Sequence, residues 1–245
     1  ATTWSRIAAN NRHPLPREGG RGEGALMTPL ELLTWARGPG LSIALAICAF
    51  GILLRLFEIF GLGRKADLSK PRELSPGSGW RTIVSRSLPP PGMVKQAPVT
   101  YIGGYVFHLG FAITLFFFVP HIELVRGLFG ISWPGLPTQV IDISAVAAML
   151  GLLAVLASRL ANPVKRFLSG FQDYLAWLLT FLPLATGYLA FHHLLIDYTL
   201  ALALHILSVE LLLVALPFTK LFHTVSVFIS RWYNGDIFGR KGVAS

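Results

Sequence analysis

Five stretches of about 20 apolar residues each divide this chain, and they restrict its fold more than any other feature. They run over about Leu41–Leu62, Tyr101–Val125, Val140–Leu160, Tyr174–Leu195 and Tyr198–Phe228. Each is long enough to cross the hydrocarbon core of a bilayer as a helix. In lipid every backbone N–H and C=O must find its partner internally, so a spanning segment is either a helix or part of a closed barrel. The two-residue alternation of a barrel strand is absent from these stretches. The expected fold is therefore an all-α membrane protein, a five-transmembrane-helix bundle. Composition agrees: 53% of the 245 residues are hydrophobic and only 13% are charged, too apolar for an ordinary soluble domain.

The net charge of +9 lies between the spans, which argues for topology and against nucleic acid as a partner. The connector Gly63–Thr100 carries Arg64, Lys65, Lys70, Arg72, Arg81, Arg86 and Lys95. The next connector holds only Arg126, the third holds Lys165 and Arg166, and the turn at Ile196–Asp197 holds no basic residue. The C-terminal segment carries Arg231, Arg240 and Lys241. By the positive-inside rule the first and third connectors and the C-terminus are cytoplasmic, and an odd number of spans puts the N-terminus outside. The chain divides into an irregular or peripheral segment at 1–40, a membrane domain at 41–230 with its cytoplasmic loop at 63–100, and a cytoplasmic tail at 231–245. The polar stretch before Met27 lacks the apolar h-region of a signal peptide. Cys48 is the single cysteine, so no Cys-ligated Fe–S cluster or C-x-x-C-H haem attachment is available.

Six of the seven histidines lie in or beside spans: His108, His121, His192, His193, His205 and His223. An ionisable residue in a span marks a functional site by default, although a single histidine bonded to a carbonyl between helices would serve packing alone. Spans two and five run in opposite directions, so His108 matches His223 in depth and His121 matches His205. His205 and His223 are 18 residues apart, which on one straight helix is five turns and roughly 27 Å. That spacing accommodates two flat macrocycles stacked through the bilayer, each iron taking two axial imidazoles. Zinc would ask for closer, mixed ligands, and a proton relay for more carboxylates than Glu123 and Glu210 supply. Gly103 and Gly104 offer close backbone approach to a flat ring, or equally to a neighbouring helix.

These residues carry a resemblance. "FHLGF" (Phe107–Phe111), "LHILSVELLLVALPFTKLFH" (Leu204–His223) and "LLRLFEIFG" at the end of span one are similar to motifs of the gamma subunit of respiratory nitrate reductase. That family of di-haem b cytochromes includes the membrane cytochromes of heterodisulfide-reductase-like and sulfite-reduction-associated complexes. The resemblance covers about Leu41–Arg240. It departs from the family at Phe118, which stands where the second histidine of helix two is expected. The next histidine, His121, follows His108 by 13 residues, and thirteen residues turn a straight helix by about 220°. Either Pro120 distorts the helix end, or His192 or His193 ligates the outer haem in place of His121.

The resemblance implies a membrane subunit carrying two b haems, held by His108, His223, His205 and His121. It would pass electrons between the quinone pool and a cytoplasmic Fe–S subunit of an oxidoreductase complex. Its setting would be the cytoplasmic (inner) membrane of a bacterium or archaeon, with a quinone or quinol site and the terminal catalytic site on another subunit. His192, His193, Asp142 and Asp197 would handle quinol protons at the outer end. Arg55 either pairs with Glu58 or binds a haem propionate. The basic connector and the C-terminal segment would dock the partner. Alternatives from other classes are a haem-free membrane anchor and a small proton-coupled transporter. Within the haem class, a four-helix cytochrome of the hydrogenase or formate dehydrogenase type competes, and five spans disfavour it.

Overall fold

The computed structural model describes residues 27–63, 70–72, 77–90 and 92–243. The irregular segment expected before Met27 and the basic residues Arg64 and Lys65 lie outside these. Among the described residues every regular element is helical, and five helices are long and apolar enough to cross a membrane. The chain is an all-α, multi-pass membrane protein.

Thr28 opens the first span. Its hydroxyl accepts from the Glu31 N–H at 3.3 Å, and Glu31 Oε2 accepts from the Thr28 N–H at 2.9 Å, a reciprocal cap that satisfies two otherwise orphaned donors. Helix α1 (Pro29–Trp35), a π-helical turn (Ala36–Gly40) and α2 (Leu41–Phe60) continue as one helix of 32 residues. This corrects the expectation that residues up to 40 are irregular or peripheral, because Pro29–Gly40 belongs to the first span. The wide π turn falls where Pro39 has no N–H to contribute.

The connector carries two short helices, α3 (Ser78–Ser85) and α4 (Met93–Gln96). The second span is broken into α5 (Pro98–Phe117) and α6 (Val119–Phe129), with Phe118 extended between them at φ −77°, ψ 123°. Then follow α7 (Thr138–Ala161), α8 (Pro163–Phe167), α9 (Phe171–Phe191) and α10 (Tyr198–Ala215). After α10 come two 3₁₀ turns, Leu216–Phe218 and Lys220–Phe222, and α11 begins at His223 and ends at Arg240. Two expectations change here. His205 and His223 do not share one straight helix, because Pro217 removes an N–H and Thr219 is extended. Residues 231–240 are not a tail, being the second half of α11, which packs along α3.

Small residues set the packing. Gly103 of α5 faces Gly151 of α7, where a Cβ would come within 2.8 Å of the Gly103 carbonyl, and Gly110 faces Ser144 and Ala148. Close backbone approach at small residues is how helices associate where lipid is as apolar as the interface. Ala148, Leu152 and Leu184 form the centre of the core, with Phe107, Phe111, Trp177 and Phe181 around them. Trp177 also donates its Nε1–H to the Leu152 carbonyl at 2.9 Å. Helix α10 lies along α9 and α2, whereas α5 and α10 share no extensive contact.

Candidate functional site

The break in the second span positions His121. The end of a helix leaves its last four carbonyls without intrahelical partners, a costly state wherever water does not reach them. Here each is taken. His121 Nδ1 lies 3.1 Å from the Thr114 carbonyl and 3.2 Å from that of Leu115. Trp133 Nε1 donates to the Phe116 carbonyl at 2.6 Å, and the Leu136 N–H to that of Phe117 at 3.0 Å. Pro120 starts α6 at a position where its missing N–H costs nothing. The chain turn at Phe118 brings His121 back to His205, their ring centres 6.2 Å apart with 20° between planes.

The second pair forms halfway along α5. His108 and His223 have ring centres 6.3 Å apart with 74° between planes. His223 begins α11, and the turn before it is anchored through Lys220. Lys220 Nζ reaches both Asp173 oxygens, at 2.9 and 2.8 Å, and Asp173 also sits 3.6 Å from Arg159. One carboxylate thus ties α7, α9 and the turn that carries His223.

Each ring has its Nδ1 occupied. That of His108 donates to the Gly104 carbonyl at 2.7 Å and that of His223 to the Lys220 carbonyl at 2.8 Å. His121 donates to the carbonyls named above. His205 Nδ1 lies 3.4 Å from Thr186 Oγ1, whose own proton goes to the Leu182 carbonyl at 2.7 Å. A carbonyl only accepts, so Nδ1 carries the proton and the lone pair of the neutral ring is on Nε2. Such a second hydrogen bond is the usual way a metal-ligating imidazole is oriented.

Haem is the group these residues are expected to hold, and the geometry fits it. A metal–imidazole bond is about 2 Å long, so two axial imidazoles on one metal have ring centres roughly 6 Å apart. Both pairs meet that separation, and axial ligation does not prescribe the angle between ring planes. Among the described residues no three His, Cys, Asp or Glu side chains gather as a ligand cluster. A porphyrin supplies four ligands itself and asks the protein for two at most. The helices bearing the pairs face each other through the imidazoles without packing directly. Gly187 of α9 makes room for one ring, because a Cβ there would lie 2.9 Å from His205 Cε1. Of the two expected glycines, Gly103 serves packing against α7, and Gly104 supplies the carbonyl for His108.

The remaining candidates separate. His192 is not beside His205. Its Nε2 donates to Asp142 Oδ1 at 3.1 Å, bridging α9 and α7. His193 is in the left-handed region at φ 54° and lies on Tyr198, ring centres 4.6 Å apart. Asp197 caps α10, accepting from the Thr199 and Leu200 N–H groups at 2.9 and 3.2 Å. Arg55 pairs with Glu58 at 2.7 Å and donates Nε–H to the Pro217 carbonyl at 3.1 Å, so of its two readings the structure displays the ion pair. Glu123 pairs with Arg126 at 3.4 Å. Glu210 is buried against Gly40 of the first span, and among the described residues its Oε1 has no hydrogen-bond partner. Sequence reasoning did not anticipate Trp133, Thr186, Gly187, Asp173 or Lys220 as supports of the histidines. Two left a signal: Lys220 stands inside the "PFTKLFH" run, and Trp133 lies between Gly and Pro in "GISWPGLP", which reads as an interfacial cap.

No family model matches the chain, and no solved structure matches it. A curated protein of Nitratidesulfovibrio vulgaris strain Hildenborough is 35% identical over 137 residues, 56% of this chain and 60% of that protein. The chain thus spans about three-fifths of that relative's length, and the relative's name states no activity.

Proposed function

We propose that this chain is the di-haem b membrane subunit of an oxidoreductase complex, passing electrons between membrane quinone and a cytoplasmic Fe–S subunit. The observation that carries the reading is the pair of imidazole pairs at 6.3 and 6.2 Å, at two depths of one helical bundle. A bound haem takes up and releases one electron at a time. The residues that would hold it are His108, His223, His121 and His205, whose tautomers are fixed through Gly104, Lys220, Thr114, Leu115 and Thr186 and which apolar helices surround.

Charge supports the orientation. Lys70, Arg72, Arg81, Arg86, Lys95, Lys165 and Arg166 lie in the connectors on the His108–His223 side, and Arg126 alone on the other. The positive-inside rule makes the first side cytoplasmic. The His108–His223 iron would then face the partner, with α3 and α11 as its platform. The His121–His205 iron would face the outer leaflet, where quinol reacts.

A reduced-minus-oxidised optical spectrum with pyridine haemochrome quantitation tests this. Two b haems per chain are expected, falling to one in His205→Leu. A haem-free protein prepared under haem-replete expression overturns the reading in favour of an anchor or transporter.

A further inference from the structure

We propose that α3 is an interfacial helix, seated on an anionic phospholipid surface through Trp80, Val84 and Leu88, with Arg81 and Arg86 against lipid phosphates. The inference does not depend on the di-haem reading. It starts from a helix whose two sides are the reverse of what water selects. The side that meets α11 is small and polar, with Ser78, Gly79 and Thr82 buried there. A Cβ at Gly79 would lie 2.9 Å from the Trp232 carbonyl, and the Thr82 hydroxyl donates to the Ser78 carbonyl at 2.9 Å. The side turned away from the protein is apolar. Trp80 and Val84 are 69% and 68% exposed, and residues four apart share one helix face. Leu88, 68% exposed, follows in the turn that ends the helix. Large apolar side chains grouped without cover are out of place in water. In the boundary between headgroups and acyl chains they are what anchors a helix.

The end of α3 is tied to the second span at headgroup height. The Tyr105 hydroxyl donates to the Ser87 carbonyl at 2.7 Å. Tyr105 stands seven residues after Pro98, where α5 begins, and helix side chains lean towards the N-terminus. Its hydroxyl therefore reaches back towards the first turns of α5. There Lys165 of the third connector donates to Thr100 Oγ1 at 2.9 Å. Tyr and Lys at the mouth of a span mark the headgroup layer. Arg231 of α11 also holds Ser87, Nη1 donating to Oγ at 2.9 Å. Val99, Ile102 and Val106, on either side of Tyr105 in the sequence, are exposed as well. On a spanning helix such residues face lipid, and the lipid that covers them reaches the foot of α3.

Charge selects the lipid. Between Glu73 and Glu123 the chain carries Arg81, Arg86 and Lys95 and no acidic residue. Arg81 and Arg86 are exposed and form no ion pair among the described residues. A guanidinium beside an interfacial Trp matches a phosphate in geometry and sign. Each positive charge near a leaflet also favours anionic over zwitterionic lipid. In the proposed complex α3 would hold the platform against the membrane and leave α11 to the partner.

The test places a nitroxide on the full chain in lipid nanodiscs, at Val84→Cys or Leu88→Cys in a Cys48→Ala background. Collisions are measured with oxygen, which concentrates in lipid, and with a nickel chelate, which stays in water. In discs containing phosphatidylglycerol both labels are expected to favour oxygen over nickel at least fivefold more than a label at Asn234→Cys, an exposed polar position on α11. Arg81→Gln combined with Arg86→Gln, or discs of phosphatidylcholine alone, are expected to lower that preference at least twofold. Labels as open to nickel as the one at position 234, whatever the lipid, overturn the seat on the bilayer. Labels shielded from both reagents overturn it too, by showing that protein, such as a second copy of the chain, covers the stripe. A preference unchanged by lipid charge and by the arginine substitutions overturns the pairing with phosphates.

Discussion

At the scale of single residues, the histidines are legible in the sequence and the atoms that aim them are not. Four imidazoles at matched depths follow from residue number and span direction. Whether their rings can meet depends on neighbours distant in sequence. Thr186 and Gly187 stand on α9 and shape the position of His205 from across a helix interface. A Cβ at Gly187 would lie 3.1 Å from Nδ1 of His205 as well as 2.9 Å from Cε1. Gly187→Val is therefore expected to push the ring off its partner and, on the di-haem proposal, to lower haem occupancy at His121–His205 by at least half. On that proposal the His108–His223 site keeps its haem, and the haemochrome titre falls from two towards one. Unchanged haem content and an unchanged outer-haem midpoint potential would show that the ring does not depend on that clearance.

At the scale of elements, the spans are legible to within a few residues and their breaks are not. Pro120 and Pro217 announce irregularity, but a proline alone does not say which way the chain turns or what receives the freed carbonyls. The loop "GISWPGLP" reads as an interfacial cap, and in the folded chain it does more. Trp133 and Leu136 fill two of the four open acceptors at the end of α5. Trp133→Phe keeps the aromatic bulk and leaves the Phe116 carbonyl without that donor. An acceptor left unpaired away from water costs about 1–3 kcal/mol, so thermal unfolding in detergent is expected to move down by a few degrees. On the di-haem proposal the haem at His121–His205 is lost before that at His108–His223, read from the b-band amplitudes during the melt. Coincident loss of both haems at the wild-type temperature would remove Trp133 from the site. Similarly, α11 was expected to be the end of a span plus a polar tail. Its polar half is helical because it has a partner, α3, against which Gly79 and Gly235 bring the backbones close to Trp232 and Thr82.

At the scale of the whole molecule, α5 and α10 each bear one member of both imidazole sets or lead directly into it, yet they are supported from outside. Helix α7 holds α5 through Gly103, Gly110 and Gly151, and α9 holds α10. At Gly110 a Cβ would stand 3.1 Å from the Ala148 Cβ and 3.2 Å from the Ala148 nitrogen. Gly110→Leu is expected to separate α5 from α7 at a cost of about 1–3 kcal/mol. On the di-haem proposal both haem contents fall together, since α5 carries His108 and leads into α6, which carries His121. Gly127→Leu, where a Cβ meets nothing within 4 Å, is the control, and its stability should stay within about 0.5 kcal/mol of wild type. A Gly110→Leu protein with both haems and wild-type stability would contradict this account of the bundle.

By itself the sequence determined the class of the molecule. A bilayer admits only internally bonded backbone, so 20-residue apolar runs become helices whatever their neighbours, and their number and order follow. It also placed the four histidines on two facing spans. Only the tertiary structure decided which imidazole meets which. The 220° mismatch between His108 and His121 is resolved at an extended Phe118, where Trp133, Leu136 and His121 itself satisfy the carbonyls that the break exposes. Trp133 and Leu136 come from the loop after α6, Trp133 standing 17 residues beyond the carbonyl it fills, and hydrogen bonds of that reach are a property of the folded chain, not of any local run of residues.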